Sequence, residues 1–148
     1  MEKLMIWCTC AEDNKVIYLK KVSKWYKQVK SIFSNLDPDY YCFVDGEVTE
    51  EDKINIDKDL LNLNFVNLLP KLGRTSIIKF QGWKRSFKTA LEYGRNYDYL
   101  IHIENDVKIL NTKNILEYAT KPGYYLGHCK TYGFVETAFI ILNNKELN

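Results

Sequence analysis

The sequence predicts an α/β protein in which strands and helices alternate along a chain of 148 residues. Three observations support this fold class. A short apolar run near the N-terminus is typical of a strand that is covered on both faces of a parallel sheet. A long amphipathic helix follows that run, and a later apolar run ends directly on two acidic residues. We therefore expect a mostly parallel central sheet flanked by helices.

The first half of the chain predicts a strand, a helix and a second strand. Residues 4–10 form the first apolar run, and apolar side chains then recur at three- and four-residue steps over 16–33. The turn at 37–39 ends that helix, and a second apolar strand at 40–44 stops at Asp45. This order is that of one strand–helix–strand unit of a parallel sheet.

The rest of the chain continues the alternation. A polar stretch over 47–59 predicts a surface loop with a helical turn, and helical spacing over 83–94 predicts a second long helix. The apolar residues 99–103 predict a buried strand that leads into the acidic pair. With no repeat, linker or low-complexity tract, residues 1–148 are expected to form a single domain. The remaining predicted elements are a third strand at 63–68, a short helix at 112–119, and strands at 124–129 and 134–142.

Composition places the chain among soluble globular proteins. Its 46% hydrophobic and 14% aromatic content is too high for a disordered segment. The net charge is only +2 and the basic residues are spread along the chain, so nucleic acid is not an expected partner. No apolar run approaches the roughly 20 residues that span a bilayer, and no signal-like stretch opens the sequence. A cytoplasmic location without a transmembrane segment is therefore expected.

The four cysteines and two histidines match no paired zinc-ligand spacing. Each cysteine lies in or beside an apolar segment, where a free thiol packs like a small apolar side chain. We therefore expect reduced, mostly buried thiols and not structural zinc. The four residues are Cys8, Cys10, Cys42 and Cys129.

Polar residues lie at the carboxyl ends of three predicted strands, the edge at which open α/β sheets bind ligands. Thr9 lies at the end of the first strand, Asp45 at the end of the second, and Glu104 and Asp106 follow the strand at 99–103. Two carboxylates separated by one residue suit a hard divalent cation, Mg²⁺ or Mn²⁺, whose other ligands are water and phosphate oxygens. The plainer interpretation is a pair of solvated acids in a loop, because acid-x-acid pairs are common. A buried strand that delivers both acids to this edge favours the metal site.

The segment from Tyr99 to Asp106 resembles the strand and DxD-type motif of GT-A glycosyltransferases. The resemblance extends to the order of elements over nearly the whole chain and is closest from Gly82 to Leu110. It implies a GT-A-like nucleotide-sugar-binding domain with a metal at Glu104 and Asp106. The first acid of this motif is Glu and not Asp, and its longer arm leaves open whether both acids touch the metal.

The resemblance also implies roles for residues around the motif. Thr9 would lie near the nucleotide base, and Asp45 would contact uracil or ribose. Lys84 and Arg85 would reach phosphate oxygens at the start of the second long helix. The plainer alternatives are that Asp45 belongs to a turn signal and that the two basic residues belong to an exposed helix face.

Two residues downstream of the motif complete the implied site. Glu136 interrupts an apolar run and would be the catalytic base that deprotonates an acceptor hydroxyl in an inverting reaction, the alternative being an exposed strand position. His128 would supply a further metal ligand near the donor, a role that its spacing leaves open. His102 alternates with Glu104 along the strand, and a packed core histidine is the favoured interpretation there.

Together these features predict an enzyme that transfers a sugar from a UDP- or GDP-sugar to a glycan or other hydroxyl acceptor. Mn²⁺ or Mg²⁺ would offset charge on the departing diphosphate. A nucleotidyltransferase is one alternative, but residues 8–13 lack the glycine-rich phosphate loop usual in those enzymes. A non-catalytic or degenerate nucleotide-sugar or carbohydrate-binding module is another. It gains weight because only about 40 residues follow Asp106, and acceptor sites of the resembled fold use a longer C-terminal part.

Overall fold

A computed structural model of the chain describes residues 2–11, 14–73, 80–110, 112–119, 121–129 and 134–144, with the backbone alone for 128–129 and 134–137. The strands are β1 (Leu4–Ala11), β2 (Asp39–Asp45), β3 (Asn64–Leu68), β4 (Tyr99–Ile103), β5 (Tyr124–Cys129) and β6 (Phe134–Asn143). The α-helices are α1 (Lys15–Phe33), α2 (Glu50–Ile56), α3 (Gln81–Tyr93) and α4 (Thr112–Ala119). Apart from α2, each of these elements lies where the sequence predicts one, within two residues at either end.

The six strands form one sheet in the order β3-β2-β1-β4-β6-β5. The strands β3, β2, β1 and β4 run parallel to one another, whereas β6 pairs antiparallel with both β4 and β5. The predicted α/β class with a mostly parallel central sheet is thereby confirmed. All five residues of β4 are buried in the interior of the sheet, as its continuous apolar sequence predicts.

The apolar run of β1 is continuous because helices cover both faces of the sheet. Ile6 packs in the cluster on the α1 side together with Val22. Met5 and Trp7 alternate with it and pack on the opposite side against Ala90 of α3. Each large apolar side chain buried in this way contributes about 1.5–3 kcal/mol to folding. Among the helices of the described ranges, none has both the length and the apolar sequence needed to cross a bilayer.

Buried thiols join β1 to β2. Cys8 lies opposite Cys42 in the parallel register, and both are free and buried, as is Cys10. Burial raises the pKa of the Cys8 and Cys42 thiols, so both stay protonated at neutral pH. The prediction of buried free thiols holds for these three residues, while the side chain of Cys129 lies outside the described residues.

The polar stretch at 47–59 contains a complete helix, α2, where the sequence predicts a loop with a helical turn. Thr49 Oγ1 accepts a hydrogen bond from Asp52 N at 3.2 Å, and Thr49 N donates to Asp52 Oδ2 at 2.9 Å. This reciprocal capping box satisfies two of the N–H groups that a helix start leaves unpaired. The Thr-x-x-Asp pattern is the sequence signal for this helix. It is easily missed because the acidic, polar composition of the stretch is typical of a surface loop.

A polar network fastens the turn after α2 to α1. Lys27 Nζ lies 2.6 Å from Asp57 Oδ2, and Ser23 donates to the same carboxylate oxygen at 2.5 Å. Asp59 N donates to Asp57 Oδ1 at 3.0 Å. The hydrogen bond from Lys27, followed by those from Ser23 and Asp59, lowers the pKa of Asp57 to about 2.

We expect Asp57→Asn to lower the free energy of unfolding at neutral pH and to lose this effect in acid. A carboxyl whose pKa falls on folding stabilises the native state above its ordinary pKa of 3.8, and the contribution disappears as the pH drops toward about 2. Urea unfolding of parent and variant at about pH 6 and about pH 2.5 checks this. Asp59→Asn, at a mostly exposed carboxylate, is the control. If the free energy of unfolding differed between the parent and Asp57→Asn by the same amount at both pH values, the expectation would be wrong.

Candidate functional site

The carboxyl ends of β1, β2 and β4 border one cleft of about 210 Å³, which we call the carboxyl-edge cleft. Four of the six residues predicted to bind a nucleotide-sugar line it and lie together at one edge of the sheet; they are Thr9, Asp45, Glu104 and Asp106. The helices supply the remaining walls. Their lining residues are Tyr18 and Lys21 of α1 and Trp83 and Ser86 of α3.

The backbone turns sharply after β4 and is fastened on both sides. Glu104 N donates to Ala138 O of β6 at 2.9 Å, and Val107 N donates back to Glu104 O at 3.1 Å. Asn105 Nδ2 donates to Thr9 O at 2.6 Å, which ties the turn to the end of β1. The acid pair therefore sits on a turn held by two neighbouring strands. Asn105 positions it, a role that residue type and spacing did not indicate.

Glu104 is held by three donors. Its Oε1 accepts from Trp83 Nε1 at 2.8 Å and contacts His102 Nε2 at 3.2 Å, while Oε2 accepts from Thr9 Oγ1 at 3.3 Å. Burial opposes ionisation of this carboxyl, but the hydrogen bonds from His102, Trp83 and Thr9 outweigh it, so the pKa of Glu104 lies below its usual value. A carboxylate oxygen accepts about two hydrogen bonds, which leaves Oε2 with capacity for one further ligand.

His102 supports Glu104 from inside the core. Its ring is fully buried between Trp7 and Phe87, with centroid separations of 5.0 Å and 5.2 Å. Because an ionised carboxylate only accepts, the contact with Glu104 assigns the ring hydrogen to Nε2. The residue thus occupies the packed position that the sequence favours, and it also orients Glu104.

Asp106 differs from Glu104 in being exposed and unengaged. Its side chain stands at the turn after β4, and no donor within the described ranges makes a hydrogen bond to its carboxylate. The residue borders the carboxyl-edge cleft and a second, adjoining cleft on the α1 side. Of the two predicted acids, Asp106 is the one whose charge is available to a ligand.

Asp45 is only 2% exposed, and three groups of the chain donate to it. Its Oδ1 accepts from Leu72 N at 3.0 Å and from Arg85 Nη2 at 2.7 Å, and its Oδ2 accepts from Gly73 N at 2.7 Å. Arg85 Nη2 also donates to Leu68 O at 2.7 Å. Groups of the described residues thus use three of about four acceptor positions of this carboxylate.

This arrangement separates the two basic residues at the start of α3. Arg85 is turned toward Asp45, with its side chain 24% exposed, and serves first as the partner of a buried carboxylate. Lys84, the preceding residue, is exposed and does not line the carboxyl-edge cleft, so its role at a phosphate stays a prediction. The spacing alone did not distinguish them, because the partner of Arg85 lies 40 residues earlier in the chain.

Close packing at Gly82 is part of the same wall. A Cβ added there would lie 2.0 Å from Asp45 Oδ2 and 2.4 Å from its Cγ, and that carboxylate is already fixed by its donors. We therefore expect Gly82→Ala to lower the free energy of unfolding by about 1–3 kcal/mol, the usual cost of overpacking. Urea unfolding measures it, with Gln81→Ala at the exposed neighbouring position as the control. If the two variants had the same urea midpoint of unfolding, the packing around Gly82 would accommodate a Cβ without cost.

Glu136 and His128 lie on the two C-terminal strands. Glu136 pairs with Gly127 in the β5–β6 register, and His128 pairs with Val135. Their side chains lie outside the described residues, so the roles of base and metal ligand remain predictions. The register does place the backbone of Glu136 three residues beyond Phe139, the partner of Ile103, and hence at the edge that carries Asp106.

The donors at this edge suit a hard cation in part. Within the described ranges, no group of three or more His, Cys, Asp or Glu side chains gathers at one point. Mg²⁺, however, is commonly held by one or two carboxylates together with substrate phosphate oxygens and water. The carboxylate of Asp106 and the spare capacity of Glu104 Oε2 fit that smaller requirement.

Sequence comparisons give no relatives: no protein-family model matches the chain, and no curated protein matches it. Solved structures do match its fold. The galactosyltransferase LgtC, solved in complex with donor and acceptor sugar analogs, gives a TM-score of 0.58 at 12% identity, covering 98% of this chain and 59% of its own. A glycosyltransferase involved in the glycosylation of the major capsid of PBCV-1 gives 0.52 at 14% identity, with coverages of 98% and 62%.

A third structure agrees with these two. The apo-form glycosyltransferase GlyE of Streptococcus pneumoniae TIGR4 gives a TM-score of 0.55 at 13% identity, covering 99% of this chain and 35% of its own. The chain therefore spans about three fifths of the first two proteins and about a third of GlyE. At these identities the likeness concerns the fold, and it shows that the chain has the GT-A-type fold of glycosyltransferases.

Proposed function

We propose that the chain binds a nucleotide-diphosphate sugar in the carboxyl-edge cleft and transfers the sugar to a hydroxyl-bearing acceptor. The observation that carries the proposal is the acid pair after β4, in which Glu104 is fixed by three donors while the exposed Asp106 beside it makes no hydrogen bond with the described residues. Water alone solvates an exposed carboxylate, so the support comes from position. Asp106 lines the cleft at the carboxyl edge of the sheet, where open α/β sheets bind ligands, in a chain with the fold of glycosyltransferases.

In this proposal Mn²⁺ or Mg²⁺ is held by Asp106 and by Glu104 Oε2. The cation would offset the negative charge that develops on the departing diphosphate. Thr9 lies beside the base end of the donor, and the remaining acceptor position of Asp45 takes a ribose hydroxyl. Lys84 reaches the phosphates from α3, while Arg85 pairs with Asp45 and holds its side chain in place.

The acceptor side of the proposal rests on Glu136. The antiparallel register of β6 brings its backbone to the edge where the donor would end, next to the turn that carries Asp106. A carboxylate there would take the proton from the acceptor hydroxyl as its oxygen attacks the sugar. His128, on the neighbouring strand β5, would add a donor atom to the cation.

A binding module without catalysis is the second candidate. The described side chains fit it equally well, because those that line the cleft belong to the donor side and the side chain of Glu136, the proposed base, lies outside the described residues. A domain that binds the nucleotide-sugar and lacks part of the acceptor site would have the same cleft and the same acid pair. A nucleotidyltransferase is favoured less, because residues 8–13 contain no glycine.

Thermal unfolding in the presence of nucleotides tests the proposal. We expect UDP or GDP to raise the Tm only when Mn²⁺ or Mg²⁺ is also present, because a ligand that binds only the native state must stabilise it. Release of free sugar from the matching nucleotide-sugar would then separate the enzyme from the binding module. A Tm that no combination of nucleotide and cation changes would contradict both.

A further inference from the structure

A second cleft of about 350 Å³ adjoins the carboxyl-edge cleft on the α1 side. The two share Lys21, Asn105 and Asp106 in their linings, so they lie next to each other at the turn after β4. We call the second cleft the lysine groove, after three exposed lysines in its lining. Its residues are Lys21, Lys24, Trp25 and Gln28 of α1 and Asn105, Asp106, Val107 and Lys108 of the turn.

Four of the six lysines of α1 form two pairs that differ in their surroundings. On the side that faces α2, Lys15 lies 3.0 Å from Asp52 and Lys27 lies 2.6 Å from Asp57, so both are ion-paired. Lys21 and Lys24 face the groove, one helical turn apart, and no carboxylate of the described ranges lies within ion-pair distance of either. The Lys21 ammonium instead lies 5.7 Å from the centroid of the Tyr18 ring.

The charges of the groove therefore favour an anion. Three lysines, Lys21, Lys24 and Lys108, line it, and among the described residues of its lining the single acid is Asp106. In a concave site bounded by protein, ammonium groups act on a ligand more strongly than on a flat surface, because less water screens them. The α2 side shows that this chain supplies carboxylate partners to lysines elsewhere.

The floor of the groove is held in place. Gln28 Nε2 donates to Val107 O at 3.0 Å, and Gln28 Oε1 accepts from Ile109 N at 3.0 Å, so one side chain ties that backbone segment to α1 by two hydrogen bonds. Trp25, also in the lining, is 1% exposed. The backbone that carries the lysines of the helix and of the turn is thus held in place on either side of the groove, which lowers the ordering cost of binding.

Size also links the groove to the candidate site. The carboxyl-edge cleft, at about 210 Å³, is smaller than the roughly 300–1,000 Å³ that ligand sites usually enclose. A nucleotide-diphosphate sugar or its acceptor would extend past Asp106 into the groove. We infer that the lysine groove binds an anionic phosphate-type group of a substrate through Lys21, Lys24 and Lys108. Only the assignment of that group to a substrate rests on the proposed function.

Pyrophosphate is the probe for this site. Titration calorimetry of the full chain with sodium pyrophosphate, in EDTA so that no metal mediates binding, should show saturable binding that weakens with added salt. The double variant Lys21→Gln/Lys24→Gln should lose about tenfold or more in affinity, since it removes two charge-assisted contacts. The matched control is Lys20→Gln/Lys30→Gln, which removes two exposed lysines of the same helix outside the groove. Absence of binding to the parent, or equal losses in both double variants, would overturn the inference.

Two further titrations identify the source of the anion. If the groove holds the donor diphosphate, Lys21→Gln/Lys24→Gln weakens UDP binding and leaves uridine binding unchanged. If it holds an anionic acceptor, UDP binding is unchanged and pyrophosphate still binds to the UDP-saturated protein. Asp106→Asn should retain pyrophosphate binding. If the parent chain bound pyrophosphate but did not bind UDP with Mn²⁺, the proposed function would be wrong, while the anion site in the lysine groove would be supported.

Discussion

Asp106→Asn is expected to abolish cation-dependent nucleotide binding, with a loss of at least about a hundredfold in UDP affinity in the presence of Mn²⁺. Asn keeps the size of Asp and part of its hydrogen-bonding capacity but removes the charge that a hard divalent cation requires. Because Asp106 is exposed and makes no hydrogen bond with the described residues, its loss should change the free energy of unfolding by no more than about 0.5 kcal/mol. Titration calorimetry and urea unfolding measure the two quantities.

Two variants frame that result. Asp37→Asn makes the same replacement at an exposed position just before β2, at the opposite edge of the sheet, and should leave binding unchanged. Glu104→Gln should weaken binding in the same direction but should also destabilise the fold, because Gln presents an NH₂ group to donors that now meet a carboxylate. If Asp106→Asn bound UDP and Mn²⁺ as tightly as the parent, the metal role of this acid pair would be wrong.

Arg85→Met is expected to cost the largest amount of stability among single changes near the cleft. It leaves the buried Asp45 carboxylate without its cationic partner, and breaking a buried ion pair costs about 3–5 kcal/mol. We expect the low end, about 3 kcal/mol, because Asp45 keeps the N–H groups of Leu72 and Gly73 and because Arg85 is partly exposed. Urea unfolding of the parent and the variant gives the value.

Lys84→Met is the matched control, since it removes the neighbouring exposed charge of the same helix and should change stability by no more than about 0.5 kcal/mol. The double variant Asp45→Asn/Arg85→Met removes both charges and should recover part of the loss seen in Arg85→Met alone. If Arg85→Met kept the stability of the parent but bound UDP more weakly, the role of Arg85 as partner of Asp45 would be wrong. Arg85 would then be assigned to the phosphates of the ligand.

Sequence patterns sufficed for the strands because burial on both faces leaves a long apolar run, as in β1 and β4. They also sufficed to bring Thr9, Asp45 and Asp106 together, since parallel strands deliver their carboxyl ends to one edge. The antiparallel direction of β6 carries no comparable local signal, because an apolar strand reads alike in either direction. Its pairing with β4 depends on the path of the whole chain.

Contacts between residues distant in the chain could not be predicted in the same way. Arg85 reaches Asp45 from another element, and nothing in the residues next to either one marks the pair. The lysine groove is hidden for a related reason, because Lys15, Lys21, Lys24 and Lys27 look alike in sequence and differ only in what lies opposite. Asn105 and Trp83 acquire their positioning roles from the turn after β4 in the same manner.

The pairing of β1 with β4 also sets when the cleft can form during synthesis. Leu4 pairs with Tyr99, and the side chain of Asn105 closes on Thr9, which stands 96 positions earlier. While only the first half of the chain has been synthesised, one edge of β1 therefore has no strand to pair with. Such an unpaired edge can pair with a wrong strand. Closing so large a loop is costly and slow, so we expect the two rims of the cleft to meet late in folding. A chain synthesised only as far as β3 would then lack the β4 side of the cleft, so the cleft could form only after β4 has left the ribosome.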